Sequence, residues 1–185
     1  MVVQDSREFR YAIDANDRIL SANSHWFDFA KENGISHLSP ETLHGRSLWE
    51  FISGAETRQL YYTLLKNVRD RGTEKTVPYR CDGPDRRRSM ELTMSHISGG
   101  GVLFRSRVIH EEEREPVTLL QLNVLRNDQL LIMCSWCNKV RVREVAWLEV
   151  EDAVKELALF DALHLPRLSH GICDVCVGQF DGYGI

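Results

Sequence analysis

Met133-Cys134-Ser135-Trp136-Cys137-Asn138-Lys139-Val140-Arg141 is one half of a motif whose other half is Ser169-His170-Gly171-Ile172-Cys173-Asp174-Val175-Cys176. Each half carries a C-x-x-C pair, and thirty-five residues, 138 to 172, separate the two. Two such pairs supply four thiolates, the number that a tetrahedral structural zinc uses up, with no position left for a catalytic water. A thiol redox motif normally shows a single pair beside a strand-helix-strand pattern, whereas these pairs echo each other across a loop. Zinc at Cys134, Cys137, Cys173 and Cys176 is therefore the leading expectation, with four-thiolate iron or redox thiols as alternatives. His170, three residues before the second pair, is assigned to hydrogen bonding around the sulfurs or, alternatively, to ligation.

The intervening loop is longer than a plain ribbon needs, so something must fill it. Trp147, Val150, Val154, Leu157 and Ala158 fall at helical spacing, with Glu151, Asp152, Lys155 and Glu156 on the other side. A short helix is expected there. Leu130 to Met133 reads as a strand leading into the first cysteines.

Outward from this motif, the chain is long enough for one ordinary domain and a small one: 185 residues, 43% hydrophobic and 27% charged. The start, Met1-Val2-Val3-Gln4-Asp5-Ser6, turns polar at once and reads as no signal peptide, and no apolar run reaches membrane-spanning length. Four of the five cysteines belong to the pairs and Cys81 stands alone, which suits a reducing cytoplasm. The formal net charge is −4, and five Lys and Arg face eight Asp and Glu from Cys134 onward. A general electrostatic hold on nucleic acid is disfavoured, although Lys139, Arg141 and Arg143 are candidates for phosphate contact.

The first half reads as two strands, helices, then three strands. Phe9, Tyr11 and Ile13 alternate into a turn at Asp14–Asp17, and Ile19–Ala22 returns. Asn23 or Ser24 caps a short helix anchored by Trp26, Phe27 and Phe29 and stopped by Gly34. Residues 35 to 54 read as loops and single turns. Leu60, Leu64 and Val68 mark a helix from Ala55 to Asp70, with Gly72 beyond it. Three strands follow at Thr76–Cys81, Ser89–Ile97 and Val102–His110. Arg86-Arg87-Arg88 is placed at a solvated hairpin tip, and Glu111-Glu112-Glu113-Arg114-Glu115-Pro116 at a solvated strand terminus closing the first domain. Residues 117 to 129 are left as a connecting helix or an extended linker.

Tyr11-Ala12-Ile13-Asp14-Ala15-Asn16-Asp17-Arg18-Ile19, then Gly45-Arg46-Ser47-Leu48-Trp49 and the three closing strands together resemble a PAS domain. The likeness spans roughly residues 8 to 112, and it is the order and spacing of the motifs that carry it. The cysteine pairs resemble a motif that follows PAS or receiver domains in some bacterial signalling proteins, and the whole chain is similar to a group of proteobacterial PAS proteins. The expected fold is thus α+β: a PAS-like antiparallel sheet with helices on one face over 8–112, a linker over 113–129, and a zinc-ribbon-like or treble-clef-like four-cysteine module over 130–180.

That resemblance implies sensing and protein contact, and names no ligand. Ser47, Leu48 and Trp49 follow Gly45-Arg46 where a covalent flavin would want a cysteine. The helix from Ala55 holds no histidine for haem, which leaves His44, His96 and His110 as remote candidates. Strand parity puts Tyr79 and Cys81 on one face and Met90, Leu92 and Met94 on another, where a PAS cavity would lie, or in ordinary core, and Trp26 and Phe104 carry the same ambiguity. No phosphate loop, nucleophile elbow or zinc-protease motif is present, so no enzyme activity is expected and output must be binding. The expected function is a cytoplasmic bacterial sensor acting through an unidentified protein partner or as a homodimer. A thiol redox sensor and a zinc-dependent nucleic-acid-binding regulator are the alternatives.

Overall fold

In the computed structural model, residues 7–144, 146–160 and 162–181 are described; the polar start at 1–6 lies outside them. β1 (Glu8–Ile13) and β2 (Ile19–Ala22) form the first hairpin. Its turn is closed by the Asp14 carboxylate, which accepts from the backbone N–H groups of Asn16 and Arg18, both at 2.8 Å. α1 (Ser24–Glu32) follows, with the Asn23 side chain accepting from the Trp26 N–H at 3.0 Å as its cap. After α2 (Pro40–Leu43) and a single 3-10 turn at Leu48–Glu50 comes α3 (Ala55–Arg71), which buries Leu60, Leu64, Leu65 and Val68. Gly72, in the left-handed region at φ 62°, ends α3 as the sequence signals.

β3 (Lys75–Arg80), β4 (Arg86–Ile97) and β5 (Gly101–Glu113) complete an antiparallel sheet of order β2-β1-β5-β4-β3. Period-two alternation sends Ile13, Val77, Leu92, Met94, Val102 and Phe104 to the side covered by the helices. The other side is polar, with pairs such as Arg107–Glu91 at 2.7 Å.

One expectation is corrected here. Arg86, Arg87 and Arg88 are not a solvated turn; they open β4 and stand opposite Glu113, Glu112 and Glu111 in register. Arg88 is 6% exposed, its Nε 2.5 Å from Glu111 and a terminal nitrogen 2.9 Å from the Asn33 side-chain oxygen. Opposite charges directly across a ladder stabilise both strands, so the two charge runs extend the hairpin instead of ending it.

The remaining residues build a second, four-stranded sheet of order β8-β7-β6-β9, from β6 (Arg126–Cys134), β7 (Val140–Arg141), β8 (Trp147–Leu148) and β9 (Leu165–Gly171). β6 and β9 run parallel, a pairing absent from the sequence expectation. The expected helix is α4 (Val150–Glu156). It stops before Ala158, whose positive φ of 51° is non-helical. Residues 117 to 129 hold one 3-10 turn, Thr118–Leu120, rather than a connecting helix, and are no free linker. Val117 and Leu119 are buried with Leu131, Met133, Val140, Val150 and Leu165, and Arg126 donates to the Leu119 and Gln121 carbonyls at 3.0 Å. β6 starts four residues before the expected Leu130. α5 (Asp174–Asp181) closes the described chain.

The second sheet docks on the open edge of the first. Trp136 accepts from the Arg80 N–H at 2.8 Å, and its indole N–H donates to the Pro78 carbonyl at 2.5 Å. Proline is tolerated in β3 because an edge strand does not need its missing N–H. Around this seam Arg80 reaches Glu149 at 2.6 Å, Arg114 reaches Glu151 at 2.7 Å, and Arg87 reaches Glu151 at 3.0 Å.

Candidate functional site

The two cysteine pairs are presented by different local structures. Cys134 ends β6 and Cys137 lies in the turn before β7, where the Cys134 N–H donates to the Lys139 carbonyl at 2.7 Å and the Asn138 N–H to the Cys134 carbonyl at 3.0 Å. Asn138 takes the left-handed conformation this turn demands, at φ 60°. Cys173 immediately precedes α5 and Cys176 sits in its first turn, so the second pair is held by a helix start.

All four sulfurs lie within 4.8 Å of one another, and Cys137 Sγ is 3.6 Å from Cys173 Sγ. A tetrahedral zinc with bonds of about 2.3 Å needs sulfurs about 3.8 Å apart, so the residues fit the ion. Cys134, Cys173 and Cys176 are buried and Cys137 is half-buried. The Cys173 N–H donates to Cys134 Sγ at 3.4 Å, and backbone bonds at Cys137 and Cys173 help hold the Cys134 thiol well below its ordinary range, after the hydrogen bonds from the Cys137 and Cys176 side chains. The Cys134 sulfur in turn pushes Cys137 up to about 12 and Cys176 far upward. Four sulfurs this close cannot all ionise without a cation among them.

His170 is not part of the cluster. It is exposed on β9, and among the described residues no hydrogen bond joins its ring to a sulfur. Its backbone carbonyl is what matters structurally: a Cβ at Gly54 would come within 2.6 Å of it. The donors facing the sulfurs are backbone N–H groups, which no side-chain pattern advertises.

The candidate cavity residues divide into two groups. Met90, Leu92, Met94 and Phe104 are 0–4% exposed and packed as core. Trp26, Tyr79 and Cys81 keep part of their surface accessible. Tyr11 and Tyr61, absent from the sequence expectation, join them. Tyr11 stacks on Phe104 with centroids 4.3 Å apart, and Tyr61 and Tyr79 each lie 6.1 Å from the Trp136 ring. Burial pushes all three phenols up, Tyr61 to about 12, and the Tyr79 hydroxyl bonds Ser106. A phenol at the buried face of β1 and another on α3 are indistinguishable by spacing from ordinary core residues, which is why sequence alone passes over them.

A cleft of about 320 Å³ opens between the two sheets, with Tyr79, Met90, Trp136, Cys137, Cys173 and Cys176 in its wall. His44, His96 and His110 are all exposed, outside the interior. Lys139 lies 3.9 Å from Glu149 and Arg143 is paired to Glu156, so acidic partners attend two of the three cations considered for phosphate. No helix among the described residues is long and apolar enough to cross a membrane.

No protein-family model matches the chain, and no curated protein matches it. Solved structures do. A domain of an HTR-like protein from Haloarcula marismortui is 22% identical over 55% of this chain and 97% of its own, with a TM-score of 0.37. The PAS domain of an HTR-like protein from the same organism is 23% identical over 57% and 84%, TM-score 0.37. A sensory box sensor histidine kinase from Vibrio cholerae is 11% identical over 56% and 83%, TM-score 0.41.

Proposed function

We propose that the chain is a sensory module in which a PAS-like domain is held at its sheet edge by a zinc-bound four-cysteine unit. The convergence of Cys134, Cys137, Cys173 and Cys176 against that edge is the observation that carries the reading. A turn supplying one pair and a helix start supplying the other supports the treble-clef-like alternative over a ribbon built of two alike turns. When bound, zinc would neutralise the thiolates and fix two distant parts of the chain; it would have no open position for chemistry.

Sensing would rest on the order of the five strands and on the cluster of Trp26, Tyr79, Cys81, Tyr11 and Tyr61, which packs against the core and among which a small ligand would sit. The output is binding to a protein partner or to a second copy, in a bacterial cytoplasm, without catalysis. The thiol redox reading has one specific support: the cleft between the sheets reaches Cys137, Cys173 and Cys176.

Metal analysis together with an absorption spectrum of the purified chain tests this. About one zinc per chain and no visible band is the expected result. Iron, a flavin or haem band, or an intact fold with no metal would overturn it. Mild peroxide separates the redox reading, which requires zinc loss coupled to loosening.

A further inference from the structure

Trp136 stands between two cysteines of the cluster and bonds across the seam to β3. Its carbonyl takes the Arg80 N–H, and its indole N–H donates to the Pro78 carbonyl. Its ring meets Tyr61 and Tyr79, which border the sensor interior, and stands edge-on to Phe180 at 4.7 Å. Phe180 lies on α5, the helix that carries Cys176. The side chain is 4% exposed, so it has no room to rearrange independently of its neighbours.

Beside it, Ser135 and Thr57 join by their hydroxyls at 2.9 Å, and the Ser135 N–H donates to the Gly171 carbonyl at 2.9 Å. The three residues from Cys134 to Trp136 thus tie the first cysteine turn to β3, to α3 and to the strand that leads into the second pair.

We propose that Trp136 is a latch through which the metal site and the sensor interior regulate each other. It rests on the zinc reading above. Zinc fixes Cys134 and Cys137, and these fix the tryptophan between them. The tryptophan then fixes the backbone of β3 at Pro78 and Arg80 and the rings of Tyr61 and Tyr79. Release of zinc frees the turn, unpins β3 and alters the tyrosine-lined interior. Because coupling between two sites is reciprocal, a change in that interior returns as a change in zinc retention by the same factor. The ligands, the edge strand and the interior are therefore one two-state element rather than two adjoining parts.

Amide hydrogen exchange on the full chain, with and without a zinc chelator, tests the latch. The Arg80 amide bonds the Trp136 carbonyl, so chelation should speed its exchange at least tenfold while the Ala12 amide in β1 is much less affected. The variant Trp136→Phe keeps the carbonyl and an aromatic ring but loses the indole bond to Pro78. It should release zinc to a chromophoric chelator about threefold to tenfold faster, the worth of one hydrogen bond, with Arg80 exchange rising in step. Zinc present and removable, with Arg80 exchange unchanged, would overturn the latch and leave the zinc reading standing. A chain that neither contains nor binds zinc would overturn both. Equal zinc release from wild type and Trp136→Phe would remove the tryptophan from the coupling.

Discussion

Gly54 shows what one residue can decide. It precedes α3 at φ 85°, in the left-handed region, and a Cβ there would meet the His170 carbonyl oxygen at 2.6 Å. Gly54→Ala therefore adds backbone strain to a clash with rigid backbone, together roughly 2–3 kcal/mol, which is about 4–12 °C in a chain of this size. Thermal melting by circular dichroism checks it, and an unchanged midpoint would mean that α3 and β9 are not in contact. The cysteines offer a matched contrast: Cys137→Ser should abolish stoichiometric zinc, whereas Cys81→Ser, outside the cluster, should leave it near one per chain. The tyrosines give a pH prediction. Burial raises Tyr61 from 10.0 to about 12 in the folded protein, and Tyr11 and Tyr79 also go up. The neutral phenols stabilise the fold fully below pH 10, and that contribution is lost as pH rises through about 12. Phenolate absorbance from these three should therefore appear together with alkaline unfolding rather than before it. The clustered cysteines are legible in the sequence because thiolate spacing is itself a chemical statement, and strand parity reaches Tyr79; Tyr11 and Tyr61 are not legible, because an aromatic on a buried face carries no mark of whether it packs or lines a space.

At the scale of elements, the hairpin of β4 and β5 holds both the clearest success and the clearest miss of sequence reading. Alternation places the apolar residues of both strands correctly, since Met90, Leu92, Met94, Phe104 and Val108 all face the helices. The ends went astray because three arginines and three glutamates each look solvated when read alone. Their positions sum to a constant, 86 with 113, 87 with 112 and 88 with 111, which is an antiparallel register written in charge. The energetic consequence depends on burial. The Arg88 side chain is 7% exposed and its partner Glu111 19%, while Arg107 in its pair with Glu91 is 63% exposed. Arg88→Ala leaves the mostly buried Glu111 carboxylate with Arg86 alone, at 3.2 Å, and should cost about 1.5–3 kcal/mol, whereas Arg107→Ala should cost at most about 1 kcal/mol. Urea denaturation of the two variants measures the difference, and equal costs would place Arg88 at the surface after all. The parallel pairing of β6 with β9 had no local signal of this kind: its partners lie about forty residues apart, and the alternation of either strand is compatible with several neighbours.

For the whole molecule the question is whether the two sheets unfold as one body. Division into a first domain, a linker and a four-cysteine module is the natural inference from composition, because charge runs and a proline at 111–116 resemble a boundary. Packing argues differently. Cys134, Trp136, Cys173, Cys176 and Phe180 share one buried cluster with Ile13, Leu64, Val77, Met94 and Phe104, which belong to the first sheet and its helix. The supposed linker contributes Val117 and Leu119 to the second core. Nothing in the spacing of the cysteines says which surface they will close upon, so this union is invisible until the chain is folded. Its thermodynamic consequence is that a ligand bound by the native state alone stabilises every part that unfolds with it. Zinc at the cysteines should then raise the melting temperature seen by Trp26, in the first domain, as much as that seen by the C-terminal helix. A single calorimetric transition is expected with zinc, moving downward as one when chelator is added. Two transitions in the zinc-bound chain, with only the smaller one sensitive to chelator, would mean that the cores are thermodynamically separate and that the shared cluster is a contact without cooperativity.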